Sequence, residues 1–254
     1  MRAWSFAASP TPWSATVNAA PAAAAFECSD DVLNRSFDAA QKTCAMHTMD
    51  ATLDCATRER NSGPNDSLYT TGAYRLLSGK ADVERLFFEN FAVADAYPDV
   101  PEPLVASFYP ADPPTFPSGA LVNYSLWFIL ELDRYVRETG DMRLREAFRK
   151  RVTDVLAFYR AHLNADGLYE HDPKTGKIFF EWSGAARFAY GVHYPTSMLL
   201  AETLDAVARL YGQEGLKAEA DRIRAAVRRL SWDGRWFRDH SVRRPDGTLE
   251  TPRD

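Results

Sequence analysis

Asp54, Glu59 and Asp66 place three carboxylates within thirteen residues, with the guanidiniums of Arg58 and Arg60 between them. Such a set could do acid–base chemistry on a sugar. Glycoside hydrolysis needs one carboxylic acid to protonate the leaving oxygen and a second carboxylate to activate water or attack the sugar. Crowded acids tune one another. A carboxyl among other carboxylates and out of water keeps its proton nearer neutral pH, and a neighbouring guanidinium pulls the opposite way. Charge runs are usually solvated faces or surface ion pairs, and Asp66, just before Ser-Leu-Tyr, is also well placed to cap a helix. The location favours chemistry: the cluster sits in a loop between helical segments, where scaffolds hold functional side chains.

Other chemistries find no support. No Ser, His and Asp set has a nucleophile-elbow context, and no glycine-rich loop follows a strand. The five histidines are scattered and the carboxylates lack EF-hand spacing, so neither a metal nor a cofactor is expected. Cys28, Cys44 and Cys55 have neither disulfide-framework nor CxxC spacing and read as buried thiols. A net charge of −5 gives no footprint for nucleic acid, and no stretch approaches the roughly 20 apolar residues of a membrane span. Prolines and polar residues interrupt the Ala-rich residues 1–25, which therefore read as an irregular lead-in rather than a secretion signal; this leans toward a cytoplasmic location.

The elements that must position the carboxylates are helical. Leu33, Phe37, Ala40 and Cys44 share a face, with Ser29 as cap, so a helix is expected over 30–49. The polar run 50–66 reads as a loop. Further helices are expected at 67–77, 82–96, 122–139, 141–163, 195–211 and 216–230. Seven prolines within 98–117 exclude regular helix there. Residues 168–170 and 177–181, flanking Asp172 to Gly176, read as a small β-hairpin, and the tail after Trp232 reads as unfinished. His47 and His193 read as structural. Gly79, Gly140 and Gly212 each join two helices, a recurrence that suits a solenoid or an (α/α) toroid of helical hairpins. In a toroid the loops at 50–66, 97–120 and 164–193 gather at one end.

The stretch from Phe26 to Arg35, then Met49-Asp-Ala-Thr-Leu-Asp-Cys-Ala-Thr-Arg-Glu-Arg60 with Asp66, resembles the opening of the catalytic domain of bacterial α-L-rhamnosidases of glycoside hydrolase family 78. The stretch from Val122 through Glu138-Thr-Gly-Asp141 resembles a second block, and Phe180-Glu-Trp182 a third. The resemblance implies an all-α fold, an (α/α)6 toroid of which residues 26–254 supply about four of six hairpins. It implies an inverting attack on terminal α-linked rhamnose of an oligosaccharide or glycoside. Glu59 would be the general acid; Asp54, Arg58 and Asp66 would contact sugar hydroxyls; Tyr124 and Trp182 would offer aromatic walls. The general base, a Glu, would lie beyond residue 254. The sequence departs from the family at Ala56, where Pro is usual, at Gly63 and Asn65, where an aromatic and Gly are usual, and at Asn123 and Glu181, where Asp is usual. The alternatives are a non-catalytic helical-hairpin protein that binds carbohydrate or protein, and a related glycosidase for another sugar.

Overall fold

Gly79, Gly140 and Gly212 end their helices in the left-handed region, at φ of 71°, 72° and 68°, and each donates its N–H to the carbonyl four residues back. A Cβ at those angles crowds the backbone, so glycine closes the helix where other residues would strain it. Three helix pairs follow: α2 (Pro64–Ser78) with α3 (Asp82–Val93), α4 (Tyr124–Thr139) with α5 (Met142–Ala147) and α6 (Arg149–Ala161), and α7 (Tyr194–Tyr211) with α8 (Gly215–Ser231). A separate helix, α1 (Asp31–Met46), precedes them. The structure, a computed structural model, describes residues 24–55, 58–93, 100–109, 120–180 and 191–250.

The core is aromatic where α3 meets α4. Phe88 and Phe128 stack edge to face at 5.3 Å, and Phe128 and Phe148 do so at 4.9 Å, a geometry that adds about 0.5–1.5 kcal/mol per pair beyond the area buried. Helices α2, α3 and α4 also bury charge. Glu84 of α3 is fully buried, with Arg75 of α2 at 3.0 Å and Arg134 of α4 at 2.5 Å.

Several expectations are corrected. The fold is mostly helical, as expected, and the expected small β element is larger than one hairpin: β1 (Glu170–His171), β2 (Gly191–His193), β3 (His240–Arg243) and β4 (Leu249–Glu250) form an antiparallel sheet in that order. Among the described residues the expected hairpin within 168–181 does not form: β1 pairs with β2, Glu170 opposite Val192. Lys177 bridges to Leu121 instead. The tail is likewise part of the sheet, with Val192 opposite Ser241. Asp30, not Ser29, caps α1, its Oδ1 accepting the N–H of Val32 at 2.8 Å. That helix buries no residue, and Leu33 is 53% exposed. The expected 141–163 helix breaks at Phe148, whose ring packs onto Phe88 and Phe128. All three cysteines are half-buried rather than buried. His193 is structural as expected, capping α7 through Thr196; burial pushes it down to about 3, so it stays neutral.

Phe128→Ala is expected to cost about 3–5 kcal/mol in a urea melt, as deletion of a packed core ring does. Leu76→Ala, at a side chain 76% exposed, is expected to stay within about 0.5 kcal/mol.

Candidate active site

The loop after α1 closes on Asp54. Its N–H donates to the Asn61 carbonyl at 2.8 Å, and its Oδ1 accepts the N–H groups of Cys55 and Asn61 at 2.6 and 2.9 Å. Both ends of the turn are thereby pinned by one side chain. Arg60 within it sits at φ 56°, a conformation that costs a non-glycine residue about 1–3 kcal/mol and persists where neighbouring contacts impose it.

Cys55 organises Glu59. The Cys55 Sγ accepts the N–H groups of Arg58 and Glu59 at 3.3 and 3.1 Å, and the thiol donates to Glu59 Oε2 at 2.8 Å. Arg58, largely exposed, pairs with the other Glu59 oxygen. The Cys55 hydrogen bond foremost, with the Arg58 charge adding to it, holds Glu59 below the usual carboxylate range.

Asp66 is tuned the other way. Gly63 is the N-cap of α2 and Pro64 its first residue, where a fixed φ suits the helix. Asp66 therefore lies inside the first turn, not before a helix starting at Ser67. The helix dipole favours its charged form, but burial and then the charges of Asp54 and Glu59 outweigh that and push Asp66 up to about 6. Asp66 thus keeps its proton into mildly acid solution, whereas Glu59 favours its charged form.

Aromatic side chains back the cluster. Tyr124, at the start of α4, is buried and stacks edge-on against Phe108 at 5.9 Å and Phe179 at 6.5 Å. Burial, then the nearby charges of Asp66 and Asp54, raise its phenol far above the ordinary value. Phe108 lies against Gly63, where a Cβ would come within 3.1 Å of its ring; the space beside this glycine is filled from another loop. Asn123 clamps Phe179, donating from Nδ2 to its carbonyl at 2.6 Å and accepting its N–H at 3.0 Å. An aspartate could not make the first of these bonds. Trp182, Glu181 and Ala56 lie outside the described residues.

The structure thus brings Asp54, Arg58, Glu59, Asp66 and Tyr124 together. Sequence reasoning singled out Gly63 and Asn123 as departures but missed the roles of Cys55, Asn61 and Phe108. One donor atom each of Asp54, Cys55 and Glu59 lies within 4.8 Å of the others, a set able to hold a metal ion, although exposed acids often stand so without one. An apolar cavity of about 600 Å³ between α4, α7 and α8 involves none of these residues.

The fold is similar to part of two solved rhamnosidase structures. The chain matches the glycoside hydrolase family 78 rhamnosidase of Bacillus sp. GL1 with a TM-score of 0.74 at 19% identity, over 89% of this chain and 23% of that one. It matches a rhamnosidase from Klebsiella oxytoca with rhamnose bound with a TM-score of 0.69 at 16% identity, over 90% of this chain and 44% of that one. The chain thus spans less than half the length of either structure. No protein-family model and no curated protein matches it.

An acid whose folded-state pKa exceeds its unfolded value makes the folded state the better proton binder, so stability falls as pH rises between the two values. For Asp66 that window runs from 3.8 to about 6. Asp66→Asn is therefore expected to melt above the parent at pH 7.5, by about 1 kcal/mol once solvent screening is allowed for, with the difference closing near pH 3.5. A melt of the variant at or below the parent at pH 7.5 would contradict the placement of Asp66.

Proposed function

We propose that this chain carries the acid side of a glycosidase site that cleaves terminal α-L-rhamnosyl linkages, within an (α/α)6 toroid to which its hairpins contribute. The supporting observation is the 54–66 cluster, in which neighbouring carboxyl groups have opposite proton affinities. Such divergence equips one acid to give a proton while the others stay charged. The fold likeness to two rhamnosidases, one with rhamnose bound, directs the choice of sugar.

In this reading, which follows the motif resemblance, Glu59 takes up a proton when substrate displaces the Cys55 hydrogen bond and the Arg58 charge that hold it ionised, and then protonates the leaving oxygen; Asp54, Arg58 and Asp66 hold sugar hydroxyls, and Tyr124 and Trp182 wall the ring. An inverting enzyme keeps its two carboxyl groups about 6.5–9.5 Å apart to admit water. Asp54 and Glu59, with oxygens within 4.8 Å, are too close for that, so the base comes from outside this pair. A second reading rests on the value near 6 at Asp66: Asp66 supplies the proton, and Glu59, held ionised by Cys55 and Arg58, stabilises the positive charge that develops on the sugar.

Nitrophenol release from 4-nitrophenyl α-L-rhamnopyranoside separates the two. Under the first reading Glu59→Gln lowers turnover by about 10²–10⁴-fold and Asp66→Asn mainly raises KM. Under the second, Asp66→Asn removes the alkaline limb near pH 6 and Glu59→Gln leaves it in place. Rates unchanged in both variants would remove the cluster from the chemistry.

A further inference from the structure

Beneath the first turn of α2 lies an acid that the proposed chemistry does not use. Glu131, on α4 two turns beyond Tyr124, is fully buried. Its Oε1 accepts from Ser67 Oγ at 3.0 Å and from Thr71 Oγ1 at 2.8 Å. Ser67 Oγ in turn lies 3.4 Å from Thr52 Oγ1, in the strand of chain that leads to Asp54. Oε2 is buried without a hydrogen-bond partner among the described residues.

The groups around it fix what this carboxyl can do. Arg134 of the same helix stands 3.8 Å from Oε1 but spends its short contact, 2.5 Å, on Glu84 of α3. Glu84 also takes Arg75 of α2, which pairs with Glu138 of α4. Glu131 is thus left beside a committed guanidinium and a second buried carboxylate. Desolvation, with Glu84 adding to it, pushes it up to about 8 despite Arg134 and the two hydroxyls. A proton on Oε2 makes the side chain neutral at physiological pH, and Oε1 then serves as a fixed acceptor.

We propose that Glu131 is a positioning residue for the acid cluster: by gathering Ser67 and Thr71 onto α4 it holds the first turn of α2, and so Asp66, beside Asp54 and Tyr124. The relevance to catalysis rests on the glycosidase reading above; the positioning itself does not.

Carboxyl and amide NMR titrations of the parent, Glu131→Gln, Glu131→Leu and Ser67→Ala test this without turnover. In the parent, the amide shifts of Ser67 and Thr71 should titrate with a midpoint near pH 8. In Glu131→Gln they should be flat from pH 7 to 9.5, with the Asp66 carboxyl still titrating near 6, because glutamine keeps the acceptor and cannot ionise. In Ser67→Ala the Asp66 midpoint should fall by about one pH unit, a ten-fold loss of proton affinity, as its turn gains solvent. Flat parent amides, or an Asp66 midpoint unchanged in both Ser67→Ala and a folded Glu131→Leu, would overturn the assignment. A failed glycosidase reading would appear in the nitrophenol assay and leave these shifts as they are.

Discussion

Glu84 sits in the interior with a guanidinium on either side, Arg75 from α2 and Arg134 from α4, and the arrangement of the candidate site depends on that triad. Removing each ion from water costs several kcal/mol, recovered only when the partners meet in good geometry. Three helices must therefore adopt one relative placement. A slip of any one would leave a buried charge unpaired, whereas the aromatic contacts of Phe87, Phe88 and Phe128 tolerate small shifts. Because α2 begins at the turn that bears Asp66 and α4 begins at Tyr124, fixing these helices fixes the distance between an acid and the aromatic wall behind it.

The same physical terms give different results at neighbouring carboxyl groups. Glu59 is half-exposed, hydrogen-bonded by a thiol and beside a guanidinium, so its charged form is favoured. Asp66 is more deeply placed and faces two other acids, so its neutral form is favoured. Seven residues of sequence separate them. Proton affinity in such a cluster is decided by which groups the backbone turns toward each carboxyl, and composition does not reveal that.

Helix positions were legible in the sequence because apolar spacing and the glycine stops act locally: Gly79, Gly140 and Gly212 stand where three helices end. The sheet was not legible. Its strands run two to four residues and their partners lie up to about fifty residues away, too short for a periodic signal and too distant for a turn signal. The carboxylates of the site could be picked out by type and spacing, since Asp54, Glu59 and Asp66 share one loop and the turn that follows it. The contacts that tune them could not. Cys55 looked like a core thiol, and Phe108, which fills the space beside Gly63, comes from a proline-rich segment more than forty residues on. Asn123 reads as a lost acid until its amide is seen to need both a donor and an acceptor for Phe179.

The central claim is that the 54–66 cluster receives a terminal rhamnose. Titration of free L-rhamnose into isotope-labelled protein, followed through backbone amide shifts, tests it most directly. Saturable shifts centred on Asp54, Arg58, Glu59, Asp66 and Tyr124, weaker with D-glucose at equal concentration, are expected. Shifts centred elsewhere, such as on the apolar cavity around Met198 and Phe237, or no difference between the two sugars, would contradict it.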